Sequence, residues 1–232
     1  MSFGENLQFL RKIYNGMTQE ELAEKMGVSR QTVSKWELDN MYPEIDKVIN
    51  LCKLFSCSMD QLIREDINTN NKAYSNVRVE KVPAFSYIKY AVISAEPEED
   101  AKKHIKDWAL ENGIKEPKII GWDFSNISQE QINVYHMHGY VAACILPKDF
   151  KIMCKDHEIM KQKEQKYAVI TVKDPFTAPF TLIPNAYKTL MRYMEVNRLK
   201  HIEEKNELTC YEKEYKINGI DYMDIYLSID NL

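Results

Sequence analysis

Arg30, Gln31, Ser34 and Lys35 are spaced to stand together on one side of a short helix, with Val33 and Trp36 on the other. Long donors of this kind reach guanine N7 and O6 or adenine N6 and N7 in a major groove, and hydroxyls reach phosphate. A second constellation lies near the C-terminus. There Glu212 shares a strand phase with Leu208, Cys210 and Glu214, between Tyr211 and Lys213. In the next strand Tyr222, Asp224 and Tyr226 share a face opposite Met223, Ile225, Leu227 and Ile229. A carboxylate near aromatic faces suits a lipophilic cation, since rings supply area and quadrupole attraction and the acid supplies charge. The competing reading has Glu212 facing water beside Lys213. His136 and His138 would share one face of a strand, with Cys154 or His157 as a third ligand, but the spacing matches no zinc pattern. No metal or cofactor is therefore expected. No Ser, His, Asp set and no glycine-rich phosphate cradle is recognisable, so no catalytic residue is assigned.

The elements that must hold the first set are legible. Thr18 with Glu21 forms a capping box at a helix start, and Leu22, Ala23 and Met26 face inward from that helix. Gly27 ends it where positive φ is needed, and Ser29 caps the next helix through its hydroxyl. Leu7, Leu10 and Tyr14 before this motif, and Ile45, Val48, Ile49 and Cys52 after it, also repeat at helical spacing. From about residue 7 to 64, including Pro43 and the closing SCSMDQLI, the chain resembles the Xre-type (lambda-repressor-like) helix-turn-helix family. The resemblance implies a five-helix domain that binds double-stranded DNA. Gln19 would touch phosphate, and Arg30, Gln31, Thr32 and Lys35 would meet bases or flanking backbone. Ser29 and Ser34 complete the expected DNA-binding set. Glu37 resembles the family's buried acid. The stretch RKIYNGMTQ is one residue longer than usual, so Arg11 or Lys12 is its partner. A bundle that binds protein instead of DNA is the alternative.

After an Asn-rich segment without periodicity, the pattern changes to strands over Val79–Ile93, Lys118–Phe124, Gly139–Leu146, Tyr167–Val172, Leu208–Tyr215 and Tyr222–Ile229. A helix is predicted from about Pro97 to Asn112 and another from Pro184, carrying Tyr187, Leu190, Met191 and Met194. The order strand, helix, strand, strand occurs twice. It predicts an α+β domain with two helices on an antiparallel sheet. Residues 1–66 are read as the helix-turn-helix domain, 67–76 as a linker and 77–232 as the second domain.

The second domain resembles the gyrase-inhibitor-like (GyrI-like) effector-binding family. The resemblance rests on VEKVPAFSYIKY, KIIGWDF, HGYVAACILP, KYAVITV, PNAYKTLMRYMEVNRL, CYEKEY and DIYLSI. It implies a small-molecule pocket with Glu212 as its acid and Trp122, Phe124, Tyr140, Tyr187 and Tyr193 as lining rings. Tyr140–Val141–Ala142–Ala143 lacks the acidic and large aromatic residues often found there, and Ser228 replaces a usual proline. Some GyrI-like domains are hydrolases of strained electrophiles and others bind a protein such as gyrase, and both remain alternatives to sensing.

Composition bounds these readings. The 232 residues are 44% hydrophobic and 28% charged, as in globular chains, and nineteen of the 25 aromatic residues lie after residue 66. Net charge is −4, with −3 of it in residues 1–66, so DNA binding must come from a local patch and not from bulk charge. The longest apolar run, Tyr140–Leu146, is far short of the roughly 20 residues of a membrane helix. MSFGENLQFL lacks an export signal, and five scattered cysteines without a CxxC fit a reducing cytoplasm. The expectation is a cytoplasmic, homodimeric transcription regulator with a ligand-sensing domain and no membrane contact.

Overall fold

The computed structural model describes the chain except residues 1, 15, 66, 68–72, 125–126, 151–157, 203–206, 231–232 and the Asn76 side chain. It divides into two compact units, Met1–Arg78 with Ile170–His201, and Val79–Val169 with Ile202–Leu232. The sequence reading placed a single boundary within 67–76. Here residues 170–201 group with the N-terminal residues instead.

The first unit opens with five helices: α1 (Phe3–Ile13), α2 (Gln19–Met26), α3 (Arg30–Glu37), α4 (Ile45–Leu54) and α5 (Met59–Ile63). Local chemistry sets their ends. Ser2 with Glu5, Thr18 with Glu21 and Ser58 with Gln61 form reciprocal capping boxes, and Gly27 takes φ 63° after α2. Leu7, Leu10, Leu22, Val33, Leu51, Phe55 and Leu62 are fully buried at the centre. At Gly4 a Cβ would meet the Trp36 and Glu37 carbonyls at 2.6 Å, so α1 crosses the end of α3 at its one residue without a side chain.

The same unit contains α8 (Pro179–Val196), whose Asn197 C-cap donates through Nδ2 to the carbonyl of Ile13 at 3.1 Å and of Tyr193 at 2.8 Å. The sequence reading began this helix at Pro184. It begins five residues earlier because Pro179 takes the first-turn position, where a missing N–H costs nothing. Pro184 then lies inside the helix, with its side chain exposed.

The remaining elements are β1 (Tyr74–Val82), β2 (Phe85–Ser94), α6 (Pro97–Glu111), β3 (Lys118–Asp123), α7 (Gln129–Asn133), β4 (His138–Ile145), β5 (Met160–Gln162), β6 (Gln165–Lys173), β7 (Cys210–Ile217) and β8 (Ile220–Ser228). Strand order is β1-β6-β8-β7-β3-β4-β2-β5, and the division between units falls inside β1 and β6. The expected Val79–Ile93 strand is two strands, broken at Pro83–Ala84. Short α7 and β5 had no periodic signal, and Tyr74–Asn76 of the expected linker lies in β1. The sequence β2-α6-β3-β4 followed by β6-α8-β7-β8 gives the expected repeated order.

In the second unit the antiparallel pairs fix which side chains share a face. Tyr140 stands opposite Val92 and Asp123, Gly121 opposite Ala142 and Glu212, and Glu212 opposite Ile225. Tyr140, Ala142 and Cys144 pack with Ala101, Ile105 and Ala109 of α6. The other face packs Tyr87, Ile120, Ala143, Tyr167, Tyr211 and Tyr226, with Trp122 against them. β8 is buried from Met223 to its end at Ser228, so Asp224 and Tyr226 are as covered as Met223 and Ile225.

Candidate functional site

α3 is held for display from beneath. Val33 and Trp36 are buried, and Glu37 is enclosed by a bidentate ion pair with Arg11. Arg11 Nε donates to Glu37 Oε1 at 2.5 Å and Nη2 to Oε2 at 3.0 Å, while Nη1 donates to the Met17 carbonyl at 2.6 Å. Of the two candidate partners, Arg11 is the one used. Lys12 instead donates to Gln8 Oε1. The Ser29 hydroxyl accepts from Thr32 N at 3.1 Å and lies 2.9 Å from Thr32 Oγ1, so both are occupied in capping α3. Arg30, Gln31 and Lys35 are exposed, and Thr32 and Ser34 are half-buried. The nearest acid to Arg30 is Glu20, at 3.9 Å between two exposed side chains, too loose to neutralise it. Gln19 donates its amide to Glu37 Oε2 at 2.9 Å. Its side chain thus braces the buried acid as well as standing at the start of α2.

The second constellation is split by the sheet: Glu212 and Glu214 lie on the α6 side with Tyr140, whereas Tyr211 and Tyr226 pack on the other face. Tyr140 is buried, and its hydroxyl has no hydrogen-bond partner among the described residues. A Cβ on Gly121 would overlap that hydroxyl, so the strand glycine makes room for it. Burial first, then the charges of Glu212, Glu98, Glu214 and Asp123, push the Tyr140 phenol far above its ordinary value. Lys102 of α6 lies 5.4 Å over the Tyr140 ring and is paired with Glu214 and, at 2.5 Å, with Glu98. Burial alone would lower the Lys102 ammonium, but Glu214 and Glu98 outweigh it and raise it, so the cation is firmly protonated. Asp123 is pushed up by burial and by Glu98, against the pull of His138.

Glu212 and Tyr140, two of the expected ligand residues, therefore belong to one electrostatic group. The other rings do not all join them. Trp122 faces the opposite side of the sheet, edge-on to Tyr87 at 6.4 Å, because neighbouring strand residues alternate. Phe124 follows β3 and packs where Gly139 leaves space. Tyr187 and Tyr193 are on α8, in the first unit. Leu208 was expected in phase with Glu212, but β7 begins only at Cys210. Leu208 instead packs with Tyr211, its N–H donating to Gln162 Oε1 and its carbonyl accepting from the Tyr167 hydroxyl. His136 is not on a strand with His138. It takes φ 51° in the turn before β4, while Cys154 and His157 lie outside the described residues. Burial pushes the Cys57 thiol up to about 12 and that of Cys144 to about 11, which leaves both poor nucleophiles.

Sequence reasoning missed Lys102, Glu98 and Gly121. Glu98 and Lys102 carry an i, i+4 ion-pair signal, and a glycine between Ile120 and Trp122 in a strand signals close approach. Neither signal identifies the tyrosine it serves.

Residues 7–62, from α1 to α5, match the family model described as Helix-turn-helix. The HTH-type transcriptional regulator ImmR of Bacillus subtilis (strain 168) is 30% identical over 126 residues, which cover 50% of this chain and 93% of ImmR. The chain belongs to the helix-turn-helix transcriptional regulators. The regulator is also similar to the HTH-type transcriptional activator BcrR of Enterococcus faecalis, 36% identical over 88 residues, or 38% of this chain and 43% of BcrR. It thus spans less than half the length of BcrR. Among solved structures, the EcmrR–DNA complex determined by cryo-EM aligns with 92% of the regulator and 99% of its own chain, at 10% identity and a TM-score of 0.47. No helix among the described residues is long and apolar enough to cross a membrane.

Proposed function

We propose that the regulator binds a DNA operator through α3 and a small apolar cation through the Glu212–Tyr140 face, and that the second event alters the first. The DNA half is supported by three exposed long donors, Arg30, Gln31 and Lys35, on a helix whose other side is fixed by Val33, Trp36 and Glu37. One such helix reads few base pairs, so a homodimer on a palindrome in the cytoplasm is the working form. The observation that carries the effector half is the buried Tyr140 hydroxyl, which has no hydrogen-bond partner among the described residues and lies in the field of several carboxylates. Leaving such a group unsatisfied costs on the order of 1–3 kcal/mol, and a cation placed against the phenol oxygen and the surrounding carboxylates offsets part of that cost. The resemblance of residues 77–232 to GyrI-like effector domains supports the same reading. A ligand that prefers one arrangement of the protein shifts the population competent for DNA.

A second reading, hydrolysis of a reactive electrophile, uses the same pair, since burial keeps Tyr140 protonated and able to donate. Calorimetric titration of the full chain with tetraphenylphosphonium and with neutral triphenylmethane, which has no hydrogen-bond acceptor, tests sensing. Binding confined to the cation, with no turnover of an epoxide probe by mass spectrometry, is expected. Equal binding of both molecules would refute the electrostatic site, and turnover would favour the enzyme.

A further inference from the structure

Four acidic residues, Glu98, Asp123, Glu212 and Glu214, act electrostatically on the Tyr140 hydroxyl. Into this group α6 inserts one cation. The Lys102 ammonium contacts Glu98 and Glu214 and stands over the face of Tyr140. Those contacts have the same chemistry as the proposed effector: positive charge against carboxylates, and a cation on a ring. The Lys102 side chain keeps 24% exposure and that of Glu98 46%, so the ammonium has a route to solvent without unfolding α6. The Tyr140 ring lies close over Gly121 of the neighbouring strand, with the lysine above its face.

We propose that Lys102 is a tethered counter-cation that holds the effector site closed and must be displaced before a ligand cation can bind. This rests on the reading of the Glu212–Tyr140 face as the effector site, and it narrows the effector class. Once free, a lysine ammonium is strongly hydrated and regains a flexible stem, so release into water offsets part of its lost pairing. A ligand that only duplicates the ammonium gains little. An effective ligand carries positive charge delocalised over an apolar, aromatic body, which restores the charge balance of Glu98 and Glu214 while burying area on Tyr140. Neutral ligands leave two half-buried carboxylates without their cation and are rejected.

The test uses the full chain, tetraphenylphosphonium as the cation and triphenylmethane as its neutral counterpart. Lys102→Met keeps the stem and removes the competing charge. Titration should show the cation bound roughly ten- to hundredfold more tightly than by the unaltered protein, with the gain confined to the cation. In the unaltered protein, acetylation of Lys102 followed by mass spectrometry should be slow without ligand and accelerate severalfold at saturating cation. Equal or weaker cation binding by Lys102→Met, with Glu212→Gln still weakening it, would overturn the displacement model and leave the effector site standing. Cation binding that is absent, or indifferent to Glu212→Gln, would overturn the site itself. Should Lys102→Met fail to fold, labelling decides, and Lys102 acetylation unchanged by saturating cation would refute displacement.

Discussion

At the scale of single residues, Glu212 and Gly121 make separable contributions. Glu212→Gln keeps shape and hydrogen bonding but removes charge. It should weaken tetraphenylphosphonium by roughly 1.5–3 kcal/mol and leave the neutral counterpart nearly unchanged, as read by calorimetry. Gly121→Ala places a methyl against the Tyr140 hydroxyl and so forces the ring to move. A loss of about 1–3 kcal/mol in stability by urea unfolding is expected, together with loss of cation binding. The acidity of the site also sets a pH dependence. Burial pushes Asp123 and Glu214 above their ordinary values of 3.8 and 4.5, so both take up protons before the pH falls that far. Each proton removes negative charge from the site. Cation affinity should thus hold near neutrality and decline as the pH is lowered, whereas affinity rising on acidification would be inconsistent with carboxylate anchoring. In the sequence, strand phase and the family resemblance both mark Glu212, and the resemblance alone marks Tyr140. Lys102 is not marked, because its pairing with Glu214 spans 112 residues of sequence and only folding brings the two together.

Elements are legible where their limits are set locally. Thr18 with Glu21, Gly27 and Ser29 fix α2 and α3 through contacts within three or four residues, and the sequence places them correctly. The start of α8 was misplaced because two prolines compete for it, and which one takes the first turn is decided by neighbouring chain. Trp122, which the family resemblance groups with Tyr140, lies on the other face of the sheet, because the two differ in strand phase. The exposed face of α3 leads to a direct expectation. Gln31→Ala should cost about 1–3 kcal/mol at the preferred duplex if the amide contacts a base, while Lys35→Ala should weaken all duplexes alike and flatten the salt dependence. Binding by the double variant as tight as that of the unaltered protein, at equal salt, would mean that α3 does not enter the groove. Beneath that face, Arg11→Ala leaves Glu37 buried without its cation. Unfolding should then be easier by about 3–5 kcal/mol, the scale of a broken buried pair.

For the whole molecule, the division into units matters more than the sequence boundary suggested. Asn197 ties the end of α8 to the last carbonyl of α1, within the first unit. Asn197→Ala should lower stability by about 1 kcal/mol, the ordinary worth of a hydrogen bond, measured on the full chain. A fragment of residues 77–232 released by limited proteolysis should melt below the intact chain, since it retains α8 without α1. The central claim is that an apolar cation and DNA are linked through one protein. It is tested most directly by the affinity of the full chain for a duplex selected from a random pool, at fixed salt, with and without saturating tetraphenylphosphonium. A change of about fivefold or more in DNA affinity, matched by an equal change in cation affinity when DNA is bound and abolished by Glu212→Gln, is the expected result. Identical DNA affinity in the two conditions, with the cation demonstrably bound, would contradict it.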